Sequence, residues 1–292
     1  MSKYFIGIMT GTSADALDGC VVSFEDKFEL ICSASITLDG SYKRDYEECI
    51  RAGSKNTNES KKLFELENIL NQKTVELINL LLKEGDINFS QVSSVGFSGQ
   101  TVFHTNEKSY QIGSPAYISE LSKIDVYSDF RNFDIKNGGI GAPLIPAFHK
   151  YLYAAEKDRL IFNIGGIANG TYLKKDEVAI ASDVGPGNCL LDYVSSKSFD
   201  KPFDDGGSEA AKGEIDNLLL KQLIDKCDGM TYPRADDKQD YYRLEELFTK
   251  IEPNSLLRTL AELSAEKIKD FYESVSYTHL RAHETGRNLV CR

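Results

Sequence analysis

The stretch Met9-Thr10-Gly11-Thr12-Ser13-Ala14-Asp15 sets a glycine among hydroxyl side chains and follows them with a carboxylate. Backbone N–H groups freed by such a turn can cradle a phosphate with the Thr12 and Ser13 hydroxyls beside them, and a carboxylate such as Asp15 can hold Mg²⁺ directly or through water. The same residues equally suit a hairpin turn closed by local Ser and Thr hydrogen bonds. A second glycine turn, Asn163-Ile164-Gly165-Gly166-Ile167-Ala168-Asn169, stands at the corresponding place in the second half of the chain. Two such turns can grip a polyphosphate from both sides, which one turn alone cannot do.

Three further stretches carry polar chemistry. In Gly96-Phe97-Ser98-Gly99-Gln100-Thr101 the Gln100 amide follows a strand signal and is a candidate substrate contact. In Asp183-Val184-Gly185-Pro186-Gly187-Asn188 the Gly and Pro residues set a tight turn between a strand and a helix, which presents Asp183 as a general base for water or a hydroxyl. A turn former or helix cap is the other reading of that aspartate. Finally, Ser128-Asp129-Phe130-Arg131-Asn132-Phe133-Asp134 leads into Gly138-Gly139-Ile140-Gly141-Ala142-Pro143. Asp129 and Asp134 can accept from sugar hydroxyls, and the Arg131 fork suits a carboxylate; a surface ion-pair cluster is the alternative. His104 and His149 stand apart from each other and read as structural.

These turns need strands and helices to hold them. Strand signals run over Tyr4 to Met9, Gly19 to Phe24 and Phe28 to Leu38, then over Ser93 to Phe97 and Ile124 to Tyr127. Leu63, Phe64, Leu66, Ile69, Leu70, Leu77, Ile78, Leu81 and Leu82 recur at helical spacing and predict a long amphipathic helix from Ser60 to Glu84, with a short one at Pro115 to Ser122. The second half opens the same way, with strands at Leu160 to Ile164, Gly170 to Leu173 and Val178 to Ala181. Helices are predicted there at Asn188 to Ser195, Ser208 to Lys226, Tyr241 to Lys250 and Asn254 to Glu273. The repeat implies two similar α/β lobes with a ligand cleft between them.

Composition bounds the function. The chain has 292 residues, with 34 Lys and Arg against 45 Asp and Glu, a formal charge of −11. That balance argues against nucleic acid as the main partner, since phosphate-backbone binding needs a cationic face. No apolar run approaches the ~20 residues of a bilayer span and no secretory leader is evident, so a cytoplasmic protein without a membrane partner is expected. The six cysteines are widely spaced and predict reduced thiols, with neither a metal site nor a disulfide framework. Residues 276–292 (SYTHLRAHETGRNLVCR) break the pattern and read as a non-native tail.

MTGTSADALDG, GFSGQTVFH, QIGSPAYISE, SDFRNFDIKNGGIGAPLIPAFH, NIGGIAN and SDVGPGNCLLD occur here in the order and spacing of the 1,6-anhydro-N-acetylmuramic acid kinases. LLRTLAELSA also resembles that family, and the resemblance covers about residues 4 to 273. It implies an α/β fold of two ribonuclease-H-like, actin-like ATPase lobes, expected here at residues 1–134 and 135–275, the second incomplete. It implies ATP and Mg²⁺ as cofactors and an anhydro-amino sugar as substrate, opened with water and converted to N-acetylmuramic acid 6-phosphate in peptidoglycan recycling. By the same resemblance, Gly11, Thr12, Ser13 and Asp15 form the first phosphate loop, Gly165 and Gly166 belong to the second, and Asp183 activates the water. Arg131 and Asp129 fall in a motif associated with the sugar site; Gln100 and Asp134 are read beside them as substrate contacts, and a homodimer is admitted as a partner state. Departures are Ala16 for a usual Gly, Ser98 for a common His, Ile140 for a common Gln and Gly170 for a branched residue. No match to the family's Gly-rich adenosine-binding stretch is found, which implies a truncated chain; an inactive fragment and a nonenzymatic actin-like ATP-binding module are the alternatives. The motif from Asp129 to Pro143 speaks against the latter, because a switch module has no need of a sugar site.

Overall fold

The computed structural model describes residues 4–11, 14–52, 57–105, 107–227 and 231–280, without the side chains of 51–60 and 276–280. Thr12 and Ser13, and most of the segment read as a tail, therefore lie outside the described residues. The chain divides into two compact units, Met1–Gly141 and Ala142–Arg292.

In the first unit, strands β1 (Tyr4–Thr10), β2 (Ala16–Ser23) and β3 (Glu29–Thr37) form an antiparallel meander. β4 (Val92–Phe97) and β7 (Val126–Tyr127) add to it in parallel, giving the order β3-β2-β1-β4-β7. Alternation along β1 buries Ile6 and Ile8 while their neighbours face outward, the period of a half-covered strand. The cover is α2 (Thr57–Glu84), whose Leu70, Leu77, Ile78 and Leu81 are completely buried in one core with Leu17, Val21 and Val95. Gly19 permits that contact, since a Cβ there would lie 2.8 Å from a Leu81 methyl. The expected helix Ser60 to Glu84 is thus present, and α3 (Pro115–Ser122) has the predicted bounds.

Besides the helix at Phe130–Lys136, two elements of this unit lack a clear sequence signal. One is α1 (Gly40–Ala52), whose inward face is Tyr42, Tyr46 and Cys49, with the two tyrosine rings stacked. Aromatic residues and a cysteine at spacings of four and three do not read as an aliphatic stripe. The other is the hairpin of β5 (Gln100–His104) and β6 (Ser109–Ile112), short strands with little alternation in burial. The unit closes with α4 (Phe130–Lys136) and the glycine segment after it. Gly139 N–H donates to the Asp134 carbonyl at 2.9 Å and Gly141 N–H to Asp134 Oδ2 at 2.8 Å, which ties residues up to 141 to this unit rather than ending it at 134.

The second unit begins with α5 (Pro146–Tyr153) and then a second antiparallel meander of β8 (Arg159–Ile164), β9 (Ile167–Lys174) and β10 (Glu177–Pro186). Its order, β10-β9-β8, repeats the opening of the first unit. α6 (Cys189–Phe199), α7 (Asn217–Cys227), α8 (Lys238–Tyr242) and α9 (Pro253–Leu280) follow. Leu190, Leu219, Leu223, Leu257, Leu260 and Leu263 of α6, α7 and α9 share one core. α7 starts later than the expected Ser208 because Asp216 Oδ1 accepts from the N–H groups of Leu218 and Leu219 and caps it there. The helix expected over Tyr241 to Lys250 is a short α8 followed by a 3₁₀ turn at Arg243–Leu247. α9 continues past Glu273 to Leu280. Among the described residues no helix is long and apolar enough to cross a membrane.

Candidate functional site

In the first unit the Gly11 turn leaves the end of β1 and is anchored from beneath. Thr10 Oγ1 donates to Gln100 Oε1 at 2.7 Å, and Gln100 Nε2 donates to the Gly11 carbonyl at 3.1 Å. Gln100 is completely buried, and both ends of its amide brace the start of the turn. Ala14 N–H closes the turn onto the same Gly11 carbonyl at 3.1 Å, with Ala14 in the left-handed region at φ 51°. Asp15 follows, exposed. Gln100, expected among the sugar contacts, is therefore placed as the support of Gly11. Gln100→Ala should lower the stability of this unit by about 1–3 kcal/mol, because the Thr10 hydroxyl and the Gly11 carbonyl both lose a buried partner. Denaturant unfolding checks this, and a change below about 0.5 kcal/mol would mean that water replaces the amide.

Arg131 and Asp134 of α4 converge on the glycine segment that follows the helix, and Asp129 stands one residue before it. Arg131 Nη1 donates to the Gly141 carbonyl at 3.1 Å and Asp134 Oδ2 accepts the Gly141 N–H, so the two side chains clasp one residue of the glycine segment. Asp129 sits at φ 58° and its Oδ1 accepts from Asn132 Nδ2 at 2.6 Å. Asn132, which sequence reasoning passed over, also takes the Ser109 N–H and donates to the Ser109 carbonyl, both at 2.9 Å, and so fastens α4 to β6. His104 lies beneath Gly141, where an added Cβ would come within 2.9 Å of the ring. Burial, and then the positive charge of Arg131, hold its imidazolium below the usual histidine range. It is a neutral wall of this corner.

In the second unit Gly165 and Gly166 join β8 to β9 at the end of the meander where β10, which carries Asp183, runs out. Gly187 N–H donates to the Gly166 carbonyl at 3.0 Å, Asn188 N–H to the Gly165 carbonyl at 2.8 Å and Cys189 N–H to the Gly166 carbonyl at 3.1 Å. The first amides of α6 are thus satisfied by the glycine hairpin. A Cβ on Gly187 would lie 2.2 Å from the Gly165 carbonyl oxygen, so only glycine permits this approach. From α9, Ser264 Oγ donates to the Pro186 carbonyl at 2.8 Å, and Lys267 packs its stem over Gly185 with its ammonium 2.7 Å from Asp270.

Asp183 is inside β10, opposite Asn169, rather than in the turn after the strand. It is 7% exposed. The segment 232–237 runs alongside it: Asp183 N–H donates to the Arg234 carbonyl at 3.0 Å, Arg234 N–H to Ser182 Oγ at 2.9 Å and Asp236 N–H to Asp183 Oδ2 at 2.9 Å. That last bond stabilises the carboxylate in its ionised form. Arg234, Asp236 and Tyr241 were not foreseen; the sequence signal for them is a Tyr-Pro-Arg followed closely by two acids, without periodicity. His149 is buried against Thr171, with Nδ1 and Oγ1 3.0 Å apart, in the structural role expected of it. Among the described residues no group of three or more His, Cys, Asp or Glu side chains is arranged to hold a metal.

The comparisons with known proteins agree with one another. A protein of Gamma-proteobacterium EBAC31A08 named anhydro-N-acetylmuramic acid kinase is 33% identical, with 99% of this chain and 79% of that protein covered. The protein of the same name from Shewanella amazonensis is 34% identical over 98% of this chain and 79% of its own length. The one from Pseudomonas syringae pv. syringae is 31% identical over 94% and 77%. The family described as Anhydro-N-acetylmuramic acid kinase matches residues 3–290, further than the span from 4 to 273 over which motifs were recognised. With the glycine turns, the Asp183 strand end and the Asp129–Gly141 corner all inside that match, the chain belongs to the anhydro-N-acetylmuramic acid kinase family.

Proposed function

We propose that the chain catalyses the coupled hydrolysis and phosphorylation of 1,6-anhydro-N-acetylmuramic acid, with Asp183 as the general base. Asp183 takes a proton from water as the water oxygen bonds to C1 of the sugar. The C1–O6 bond breaks, O6 bonds to the γ-phosphorus of ATP and ADP leaves. The products are N-acetylmuramic acid 6-phosphate and ADP. The observation that carries this reading is the Asp183 carboxylate, buried at a glycine-bounded strand end and holding a main-chain N–H at 2.9 Å. Such a base is fixed in place before the substrate arrives, which is how positioning lowers a barrier.

In the same reading the turns at Gly11 and at Gly165–Gly166 hold the ATP phosphates, with Thr12, Ser13 and Asp15 completing the first. Mg²⁺ in kinase sites is bound by one or two carboxylates together with phosphate oxygens and water, and exposed Asp15 beside the turn has that character. When bound, the ion screens the charge of the transferring phosphoryl group. Arg131, Asp129 and Asp134 form the sugar-binding corner. The two units are read as the ribonuclease-H-like lobes of an actin-like ATPase, a reading supported by the repeated meanders β3-β2-β1 and β10-β9-β8.

Turnover in ¹⁸O-labelled water tests the reaction. ADP release should require the anhydro-sugar, and the label should appear at the anomeric oxygen of the product and not in its phosphate. Label in the phosphate, or ADP release independent of sugar, would exclude the proposed sequence of bonds.

A further inference from the structure

The segment that supports Asp183 is itself built around a buried charge pair. Arg234 Nε lies 3.0 Å from Asp236 Oδ1 and 3.2 Å from Oδ2, and the Tyr241 hydroxyl donates to Oδ2. Burial, and then the adjacent Asp236 carboxylate, push the Tyr241 phenol well above its usual range, so it stays protonated and remains a donor. The Arg234 guanidinium lies over the Tyr232 ring, 5.3 Å from its centroid. Arg234 is 9% exposed, and its Nη2 is buried without a hydrogen-bond partner among the described residues.

A buried ion pair with one donor left unsatisfied is a poor way to stabilise a fold, because the desolvation of both charges offsets their attraction. What the pair does accomplish is geometric. Asp236 is gripped on one side by Arg234 and on the other by Tyr241, and its own N–H is the group that reaches Asp183. We propose that Arg234, Asp236 and Tyr241 are positioning residues, which act through the Asp236 main-chain N–H to hold the Asp183 carboxylate in place. This rests on Asp183 being the base, and no residue of the trio need touch the substrate. Other charged groups near this strand end are Lys267 and its partner Asp270 on α9, together with Asp237, whose carboxyl burial pushes up, and Lys238, whose charge acts on Cys189 at the start of α6.

Nuclear magnetic resonance of the intact chain tests the relay without depending on turnover. Across a pH titration, the residue 236 amide should shift with the same midpoint as the Asp183 carboxyl carbon, and the shift should vanish in Asp183→Asn. Tyr241→Phe keeps shape and formal charge but releases one side of Asp236. It should move the Asp183 midpoint upward by about half a unit or more, since a carboxylate that loses a donor is less stabilised. The acidic limb of the kcat profile should follow, and kcat should fall about tenfold with KM for ATP unchanged, the loss expected for one charge-assisted hydrogen bond. Arg234→Lys keeps the charge but removes the fork, and gives the same readouts should Tyr241→Phe fail to fold. An Asp236 amide indifferent to the Asp183 titration, or an unmoved midpoint, overturns the relay. Turnover surviving in Asp183→Asn overturns the base assignment and the relay's catalytic meaning together. Turnover lost in Asp183→Asn but an unmoved midpoint in Tyr241→Phe overturns the relay alone.

Discussion

Asp183→Asn should reduce kcat by about 10²- to 10⁴-fold, equivalent to about 3–5 kcal/mol of barrier, while ATP affinity and folding stay close to those of the parent chain. The reasoning is steric as well as chemical. Asparagine has the shape of aspartate, and its side-chain carbonyl can still accept the Asp236 N–H that Asp183 Oδ2 accepts at 2.9 Å. The main-chain bonds of residue 183 within β10 and to the Arg234 carbonyl do not involve the side chain at all. What disappears is the proton acceptor. Paired measurements of kcat, nucleotide binding and thermal unfolding separate the outcomes. Turnover within about threefold of the parent would assign Asp183 to holding segment 232–237 against the sheet. A large loss of melting temperature would show that its charge matters to the fold instead.

The parts of this site that could be read from the sequence are those with a local cause. Gly11, Gly165–Gly166 and Gly187 announce turns because glycine is the residue that permits them, and the strand signals on either side are period-two patterns of β-branched and aromatic residues. Those two facts make both meanders legible, although β10 runs on through Asp183, which the sequence places in the turn after the strand. The supports were not legible, because each is a contact between residues far apart in the chain. Gln100 lies 90 positions from the Thr10 hydroxyl it accepts, and Asp236 lies 53 from Asp183. No local periodicity encodes such a bond. Gln100 shows the consequence: a polar side chain after a strand reads as a ligand contact, whereas burial makes it an internal brace. The missed helix α1 has the same origin, since its inward tyrosines acquire meaning only from packing against the core of the first unit.

Gly170 is a departure whose explanation lies in packing, and it yields the second large expected effect. A Cβ at Gly170 would lie 2.5 Å from the Phe271 ring and 2.9 Å from that of Phe162. Phe271 is completely buried and meets Phe162 edge-on at 6.0 Å and Tyr232 edge-on at 4.9 Å. The phenylalanine thus fills the space into which a branched side chain on β9 would project. Phe271→Ala should destabilise the second unit by about 3–5 kcal/mol, through lost burial and the cavity left behind. Gly170→Val alone should cost about 1–3 kcal/mol by overpacking, although valine suits a strand well. Combined, the two changes should cost at least about 1 kcal/mol less than their sum, because the valine enters the cavity instead of colliding with the ring. Chemical denaturation of the parent, both single variants and the double variant measures that coupling. Additivity within about 0.5 kcal/mol would mean that Phe162 and Tyr232 collapse into the cavity first. The same cycle bears on the site, since Tyr232 stands two residues before Arg234, and a displaced Tyr232 would loosen the segment that carries Asp236 to Asp183.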